Sequence, residues 1–280
     1  MTQLEALRPH LFAIAYQLTG DTQEAKDIVQ DTYETWLSRP RAVENEKAYL
    51  RKMTVNRSID RLKALKTQRE AYKGVWLPVP YVTPWEPETA PAPPGDVLSL
   101  GLLHLLEKLT PPERAVLILR ESFACSYEEI AGLCETPAPH CRQLLHRAKE
   151  KLRLPATRFP VDEAQHRRLL EAFLLACQEE NPERLARLLK ADVVLYTDGG
   201  GKRPAALKPL TGIAHVVKFL LAVRPSPEEI SWRWVRVNNL PGMAFLDART
   251  GQPDTVMTLE VSGGQIATLL LVRNPDKLFL

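Results

Sequence analysis

Seven of the seventeen residues from Pro78 to Pro94 are proline. Each proline removes a backbone donor and fixes φ, so this stretch is expected to be an extended linker rather than packed structure. It divides the chain into parts that must build their cores separately. The start of the linker, Trp76-Leu77-Pro78-Val79-Pro80, is unusual. Trp76, Leu77 and Trp85 are large apolar groups in a segment with no core of its own. Exposed, they would cost solubility, so they are expected to lie against a neighbouring domain.

Ahead of the linker the pattern is helical. Leu4, Leu7, Leu11, Ile14 and Leu18 recur at helical spacing behind a Thr2/Glu5 capping box. Asp21 with Glu24 opens a second helix to about Leu37, and a third is expected over residues 45–69, with Val55, Ile59 and Leu62 on one face. Charge separates along these helices. Between Asp21 and Glu46 there are seven acids against three bases, and between Lys47 and Lys73 nine Lys/Arg against two acids. With a net charge of only +3, the molecule is no polycation; the local split suggests two different partner surfaces, or two solvated helix faces.

Behind the linker, residues 97–153 are helical again. Thr110-Pro111-Pro112-Glu113, Ser126 with Glu129, and Thr136-Pro137 each read as a helix start. The stretch from Ser126 to Leu152 sets Ile130, Ala131 and Leu133 inward on a short helix and turns at Cys134–Thr136. A longer helix follows, with Cys141, Leu144, Leu145 and Ala148 on one face and His140, Arg142, Gln143, His146, Arg147 and Lys149 on the other. That is a helix-turn-helix whose second helix is free to enter a major groove. Arg and Gln can read purine edges, while Arg147, Lys149 and Lys151 suit phosphates. An amphipathic hairpin with a charged outer face would give the same pattern.

From about Val161 the style changes. Two helices (163–178 and 182–190), a strand at Val193–Thr197 and a helix near Ile213–Ala222 precede four strand-like runs: Ile230–Val237, Met243–Asp247, Thr255–Val261 and Gln265–Val272. Asn238-Asn239, Pro241-Gly242 and Gly263-Gly264 are expected to be the turns between them. Helices followed by strands argue for a separate α+β domain. Four cysteines without a CxxC pair suggest free thiols in a reducing cytosol and no metal site. No stretch approaches the roughly 18 apolar residues of a membrane span, and the N-terminus lacks a signal-peptide pattern, so a cytoplasmic protein without membrane contact is expected.

Two motifs in order carry a family resemblance. RESFACSYEEIA with CRQLLHRAKEKL resembles region 4 of the bacterial extracytoplasmic-function (group IV, sigma-70 family) RNA polymerase sigma factors. DTQEAKDIVQDTYETWL and AYLRKMTVNRSIDRLKALK resemble regions 2.1–2.2 and 2.3–2.4. The resemblance implies two all-α sigma domains, region 2 (1–70) and region 4 (98–155), joined by the linker (71–97). It also implies partners: core RNA polymerase, through its β′ clamp helices and β flap, and promoter DNA. Asp27, Gln30, Asp31 and Glu34 would dock on the clamp helices. Arg51, Lys52, Asn56, Arg57 and Arg61 would engage the −10 element, where a melted base must be captured out of the stack. Asp60 is expected to bond within the helix layer. His140, Arg142, Gln143, His146, Arg147 and Lys149 would serve the −35 element. Cys134-Glu135-Thr136 departs from the usual Leu-Gly-Ser-type turn, and Pro139 crowds the recognition helix.

Residues 160–280 resemble a SnoaL-like domain of the nuclear-transport-factor-like superfamily, an α+β cone fused to one subgroup of these sigma factors. Three motifs mark that subgroup: a WLPEP-type linker, here Trp76-Leu77-Pro78-Val79-Pro80 with Val79 in place of the acid; the loop Asp198-Gly199-Gly200-Gly201-Lys202; and the tail Asn274-Pro275-Asp276-Lys277-Leu278. A phosphate cradle would need Ser/Thr and a helix after Lys202, but Arg203 and Pro204 follow. A plain hairpin turn remains open for the loop. The resemblance implies docking, with the domain as a built-in regulator, no cofactor and no catalytic residue. The other reading is a helix-turn-helix regulator with a ligand-binding or catalytic SnoaL-like domain. In that case Asp198, His215 and Asp247 are the polar candidates, and the cone interior leaves room for a small-molecule ligand.

Overall fold

The computed structural model describes residues 5–38, 45–85, 97–153, 162–223, 226 and 228–279. The described residues group into two compact units. Unit 1 takes those of Met1–Ala71, Ala92–Leu98 and Leu102–Thr157; unit 2 takes those of Tyr72–Pro91, Ser99–Gly101 and Arg158–Leu280. The Thr2/Glu5 capping box lies outside the described residues.

Unit 1 is all helical: α1 (Arg8–Thr19), α2 (Thr22–Ser38), α3 (Glu46–Glu70), α4 (Leu100–Leu105), α5 (Pro111–Glu121), α6 (Tyr127–Cys134) and α7 (Ala138–Leu152). The first residues of α4 are counted with unit 2. Local chemistry sets most starts. The Asp21 carboxylate accepts from the Gln23 and Glu24 amides at 2.9 and 3.2 Å, and Asn45 caps α3 by accepting from Ala48. Capping boxes open α5 (Thr110 with Glu113) and α6 (Ser126 with Glu129). At α7 the expectation is corrected. Thr136 does not cap that helix; its hydroxyl donates to the Cys134 carbonyl, and Pro137 is the N-cap residue. Pro139 sits in the first turn, where the backbone donors have no partner in the helix.

Unit 2 joins α8 (Glu163–Gln178), α9 (Pro182–Leu188) and α10 (Ile213–Ala222) to a seven-stranded mixed sheet. Its strands are β1 (Val82–Pro84), β2 (Leu189–Asp198), β3 (Leu210–Thr211), β4 (Ile230–Val237), β5 (Leu240–Asp247), β6 (Pro253–Ser262) and β7 (Gln265–Val272), ordered β1-β4-β5-β6-β7-β2-β3. Among the described residues, only β2 and β7 pair in parallel. This is the expected α+β arrangement. Pro241-Gly242 is not a turn: both lie inside β5, and the β4–β5 reversal rests on Asn238 and Asn239, both at positive φ.

Both faces of the sheet are buried, by different partners. Leu269 and Leu271 of β7 point to a core built with Leu170 and Phe173 of α8 and Val216 and Leu220 of α10. Leu270 and Val272, alternating with them, point to a second cluster containing Leu77, Val235, Val237, Val256 and Leu278. A strand apolar on both faces reads as a continuous apolar run, and β7 is written QIATLLLV. Leu77 comes from the proline-rich stretch, so the linker expectation is corrected in part. Leu77 and Val79 are 0% and 2% exposed, and Val82–Pro84 adds a strand at the edge of β4. Pro84 tolerates that edge because no ladder partner lies beyond it.

Candidate nucleic-acid interface and linker clamp

Helix α7 separates its faces cleanly. Cys141, Leu144, Leu145 and Ala148 are buried, while His140, Arg142, Gln143, His146, Arg147 and Lys149 are all exposed. Arg142, Gln143, His146 and Arg147, with Glu150, line an open depression of about 440 Å³. Arg142 lies 4.9 Å over the Tyr127 ring and 3.5 Å from Glu128, and Lys149 pairs with Glu121 at 2.8 Å. His146 lies 3.3 Å from Glu150. The turn before α7 uses Glu135 at φ +52°, a left-handed conformation that glycine meets without strain.

On α2, Asp27, Gln30, Asp31 and Glu34 fall on one exposed face. Gln30 bonds Glu34 at 2.9 Å, and Gln23 bonds Asp27 at 3.0 Å. The five candidate −10 residues on α3 are half-buried, and four of them meet partners inside unit 1. Arg61 holds Glu24 through two hydrogen bonds of 2.5 Å, which raises the guanidinium pKa. Arg57 donates to Thr35 and lies 3.8 Å from Asp31. Arg51 donates to the Cys125 thiol at 2.7 Å, and Lys52 pairs with Glu135 at 3.0 Å. Asn56 is half-buried beside them. Asp60, expected to bond within the helix layer, is exposed and pairs with Lys63 of its own helix.

Cys125 immediately precedes the helix-turn-helix and Glu135 lies in its turn, so unit 1 holds the two candidate DNA-reading segments together. A buried cluster reinforces this. Arg114 of α5, 1% exposed, donates to the Gln17 carbonyl near the end of α1 and to Glu107. Glu107 also accepts from Arg69 at 2.7 Å, and Arg69 donates to the Thr19 carbonyl at 2.6 Å. Two cations thus meet the carbonyl end of α1, where the helix dipole favours them. Burial pulls the Glu107 pKa up, but the guanidiniums of Arg114 and Arg69 outweigh it and hold it low.

In unit 2 the three short motifs converge on one carboxylate. Asp198 is 0% exposed. Its Oδ1 accepts from the Tyr72 hydroxyl at 2.5 Å and the Gly200 amide at 3.0 Å. Its Oδ2 accepts from the Leu77 amide at 2.9 Å and Lys277 Nζ at 2.7 Å. Lys277 Nζ also donates to the Leu77 carbonyl at 2.6 Å and lies 4.3 Å and 4.8 Å from the Trp76 and Tyr72 ring centroids. Burial, then the bond to Asp198, push the Tyr72 pKa far up. Removing either charge would strand the other at a cost of about 3–5 kcal/mol.

The remaining motif residues frame this clamp. Asn274 donates to the Tyr72 hydroxyl at 2.9 Å and accepts from the Asp276 amide. Pro275 opens the short 3-10 turn Pro275–Lys277, and Leu278 packs in the Leu77 cluster. Pro78 is buried. Lys202 pairs with Asp276 at 2.5 Å on the surface. Gly199 accepts at its carbonyl from the Lys202 and Arg203 amides, and Gly201 lies against the Lys73 side chain. Gly200 has φ +60°, and a Cβ there would stand 2.4 Å from the Asn274 side chain. The loop therefore makes a tight turn at Gly199–Lys202 and also meets the clamp through Gly200. Tyr72, its key partner, carries no motif of its own and sequence reasoning missed it. The other polar candidates of unit 2 are engaged locally: His215 lies 3.0 Å from the Thr211 carbonyl, and Asp247 accepts from the Arg249 and Thr250 amides.

Residues 4–68 match the family model described as Sigma-70 region 2, and residues 99–152 that described as Sigma-70, region 4. The ECF RNA polymerase sigma factor SigJ of Mycobacterium tuberculosis is 28% identical to this chain, over 99% of it and 92% of SigJ. The probable ECF RNA polymerase sigma factor SigI of Mycobacterium tuberculosis is 32% identical, over 67% of this chain and 66% of SigI. The crystal structure of the Mycobacterium tuberculosis SigJ matches with a TM-score of 0.80 at 28% identity, over 99% of this chain and 97% of that one.

Proposed function

This chain belongs to the extracytoplasmic-function sigma factors of the sigma-70 family, and on that premise we propose that it acts in the cytoplasm, binding core RNA polymerase and directing initiation at its promoters, with unit 2 as a built-in, non-catalytic regulator. In this reading the α2 face with Asp27, Gln30, Asp31 and Glu34 meets polymerase, α3 serves the −10 element and α7 the −35 element. Among the described residues no helix is long and apolar enough to cross a membrane.

The observation that carries the regulatory part is the clamp. The −10 and −35 elements lie about 25 base pairs apart, on the order of 85 Å at 3.4 Å per base pair. Lys52 and Glu135, one from each DNA-reading segment, lie 3.0 Å apart, so unit 1 must open before both elements can be read. Opening needs slack in the linker. Fixing residues 72–84 in unit 2 withdraws about 45 Å of extended chain. The clamp therefore favours the closed state, and polymerase or another signal shifts the balance by binding the open one.

The test is transcription of genomic DNA by sigma-free core polymerase with this chain, sequencing the 5′ ends. New starts preceded by a shared −35 and −10 element are expected. Gly200→Asp and Lys277→Met should change the yield at those starts several-fold. The absence of new starts with the parent chain and with both variants would overturn the sigma reading. Equal yields from all three would leave initiation standing and remove the regulator.

A further inference from the structure

Unit 2 encloses a cavity of about 260 Å³ between α8, α10 and the face of the sheet opposite the clamp. Its walls are largely apolar and aromatic, including Phe173, Phe219, Phe245 and Met257. One end is polar and built. Arg273 Nη2 lies 3.3 and 3.4 Å from the two Asp254 oxygens, its Nε donates to the Thr255 hydroxyl at 3.2 Å, and that hydroxyl donates to Asp254 at 2.7 Å. The Arg273 and Asp254 side chains are 21% and 15% exposed.

This chemistry selects a ligand class. The two charges at the polar end neutralise each other. A carboxylate entering the cavity would have to displace Asp254 from Arg273, and a cation would have to displace Arg273 from Asp254; either exchange leaves a partly buried charge unpaired. A neutral molecule pays neither cost. It can give a hydroxyl proton to the Asp254 carboxylate or accept through a carbonyl from the guanidinium, while its apolar body fills the aromatic wall. The volume, slightly below the usual range for drug-sized ligands, limits it to a small molecule.

The end of β2 and the two residues just after β7 carry cavity and clamp on consecutive positions. Thr197 lines the cavity and Asp198 is the centre of the clamp; Arg273 lines the cavity and Asn274 bonds Tyr72. On β2 successive residues face opposite sides of the sheet, so the division between Thr197 and Asp198 follows from the backbone. Two bonds tie the sites together: the Arg273 amide donates to the Asp198 carbonyl at 2.7 Å, and Arg273 Nη1 donates to the Pro204 carbonyl, just past the glycine loop, at 2.8 Å.

We propose that the cavity binds an uncharged, largely apolar small molecule with one hydroxyl or carbonyl group, and that its occupancy alters the hold of the clamp on the linker. The coupling rests on the clamp being the regulatory element; the binding does not. Because coupling is reciprocal, a ligand that tightens the clamp is itself bound more tightly when the clamp is closed.

Equilibrium dialysis of the full chain against 2-naphthol and 2-naphthoate tests the site. They share one ring system and differ in charge at neutral pH. Saturable binding of one 2-naphthol per chain is expected, at least tenfold tighter than 2-naphthoate, and Cys177→Phe, which fills the cavity from α8, should weaken it at least tenfold. The comparison of the two probes on the unaltered chain stands even if that variant fails to fold. Non-saturable binding, equal binding of the two probes, or undiminished binding by a folded Cys177→Phe would overturn the site. Hydrogen exchange of the Leu77 amide reads the coupling: at least a threefold change at saturating 2-naphthol is expected, and an unchanged rate overturns it. Neither readout involves transcription, so their failure is distinct from failure of the sigma function.

Discussion

His166 lies fully buried on α8, and neither ring nitrogen meets a partner at hydrogen-bonding geometry. Burial lowers its pKa to about 4, against opposing pulls from the Pro241 backbone and Glu163. The folded pKa lies below the unfolded value, so the neutral ring contributes fully above about pH 6.5, and the contribution is lost as pH falls towards 4. Unit 2 should lose about 3 kcal/mol across that window. Denaturation curves at pH 7 and pH 4.5 should show the loss in the parent chain and little of it in His166→Met. Nothing in the sequence marks this histidine, since a ring becomes unpartnered only when the sheet closes over it. Asp198 is the opposite case. Its motif was legible, but not its four donors, because Tyr72 and the Leu77 amide reach it only after the linker folds back.

At the scale of elements, agreement follows the strength of the local signal. The bounds of α8, α10, β4 and β7 were legible because Asp162 caps α8, α10 is an apolar helical run opened by Gly212, and the turns Asn238-Asn239 and Gly263-Gly264 close β4 and open β7. β1 was not legible, because three residues ending in a proline have no period of their own and are a strand only through β4. β5 was expected to start late because Pro241-Gly242 mimics a turn; pairing with both neighbours overrides that local chemistry. The departure at Glu135 has a structural account. A non-glycine residue at φ +52° costs on the order of 1 kcal/mol, while its exposed ion pair with Lys52 returns less than that. Glu135→Gly should therefore raise the stability of unit 1 by about 0.5–1 kcal/mol while releasing Lys52. Urea denaturation followed by circular dichroism checks the sign.

At the scale of the whole molecule, the closed state of unit 1 depends on a few buried charges. Glu107 serves both Arg69 and Arg114, so Glu107→Gln removes the negative charge that two buried guanidiniums share. Losing only about 1.4 kcal/mol of closure raises the open population tenfold. Cys125 reports it, because the thiol is 2% exposed and lies under Arg51. Burial raises its pKa, with Arg51 pulling the other way, so alkylation of the parent chain should be slow. Iodoacetamide should label Cys125 at least tenfold faster in Glu107→Gln, and an unchanged rate would show that this cluster does not hold the two segments together. The clamp adds a constraint of a different kind, set by the order of synthesis. A ribosome makes both DNA-reading segments, then Asp198, and only 79 residues later Lys277. Until that lysine emerges, the carboxylate has no buried counter-ion and the linker no complete hold. In the proposed regulatory reading, a growing chain therefore passes through a stage in which its DNA-reading parts are finished and their restraint is not.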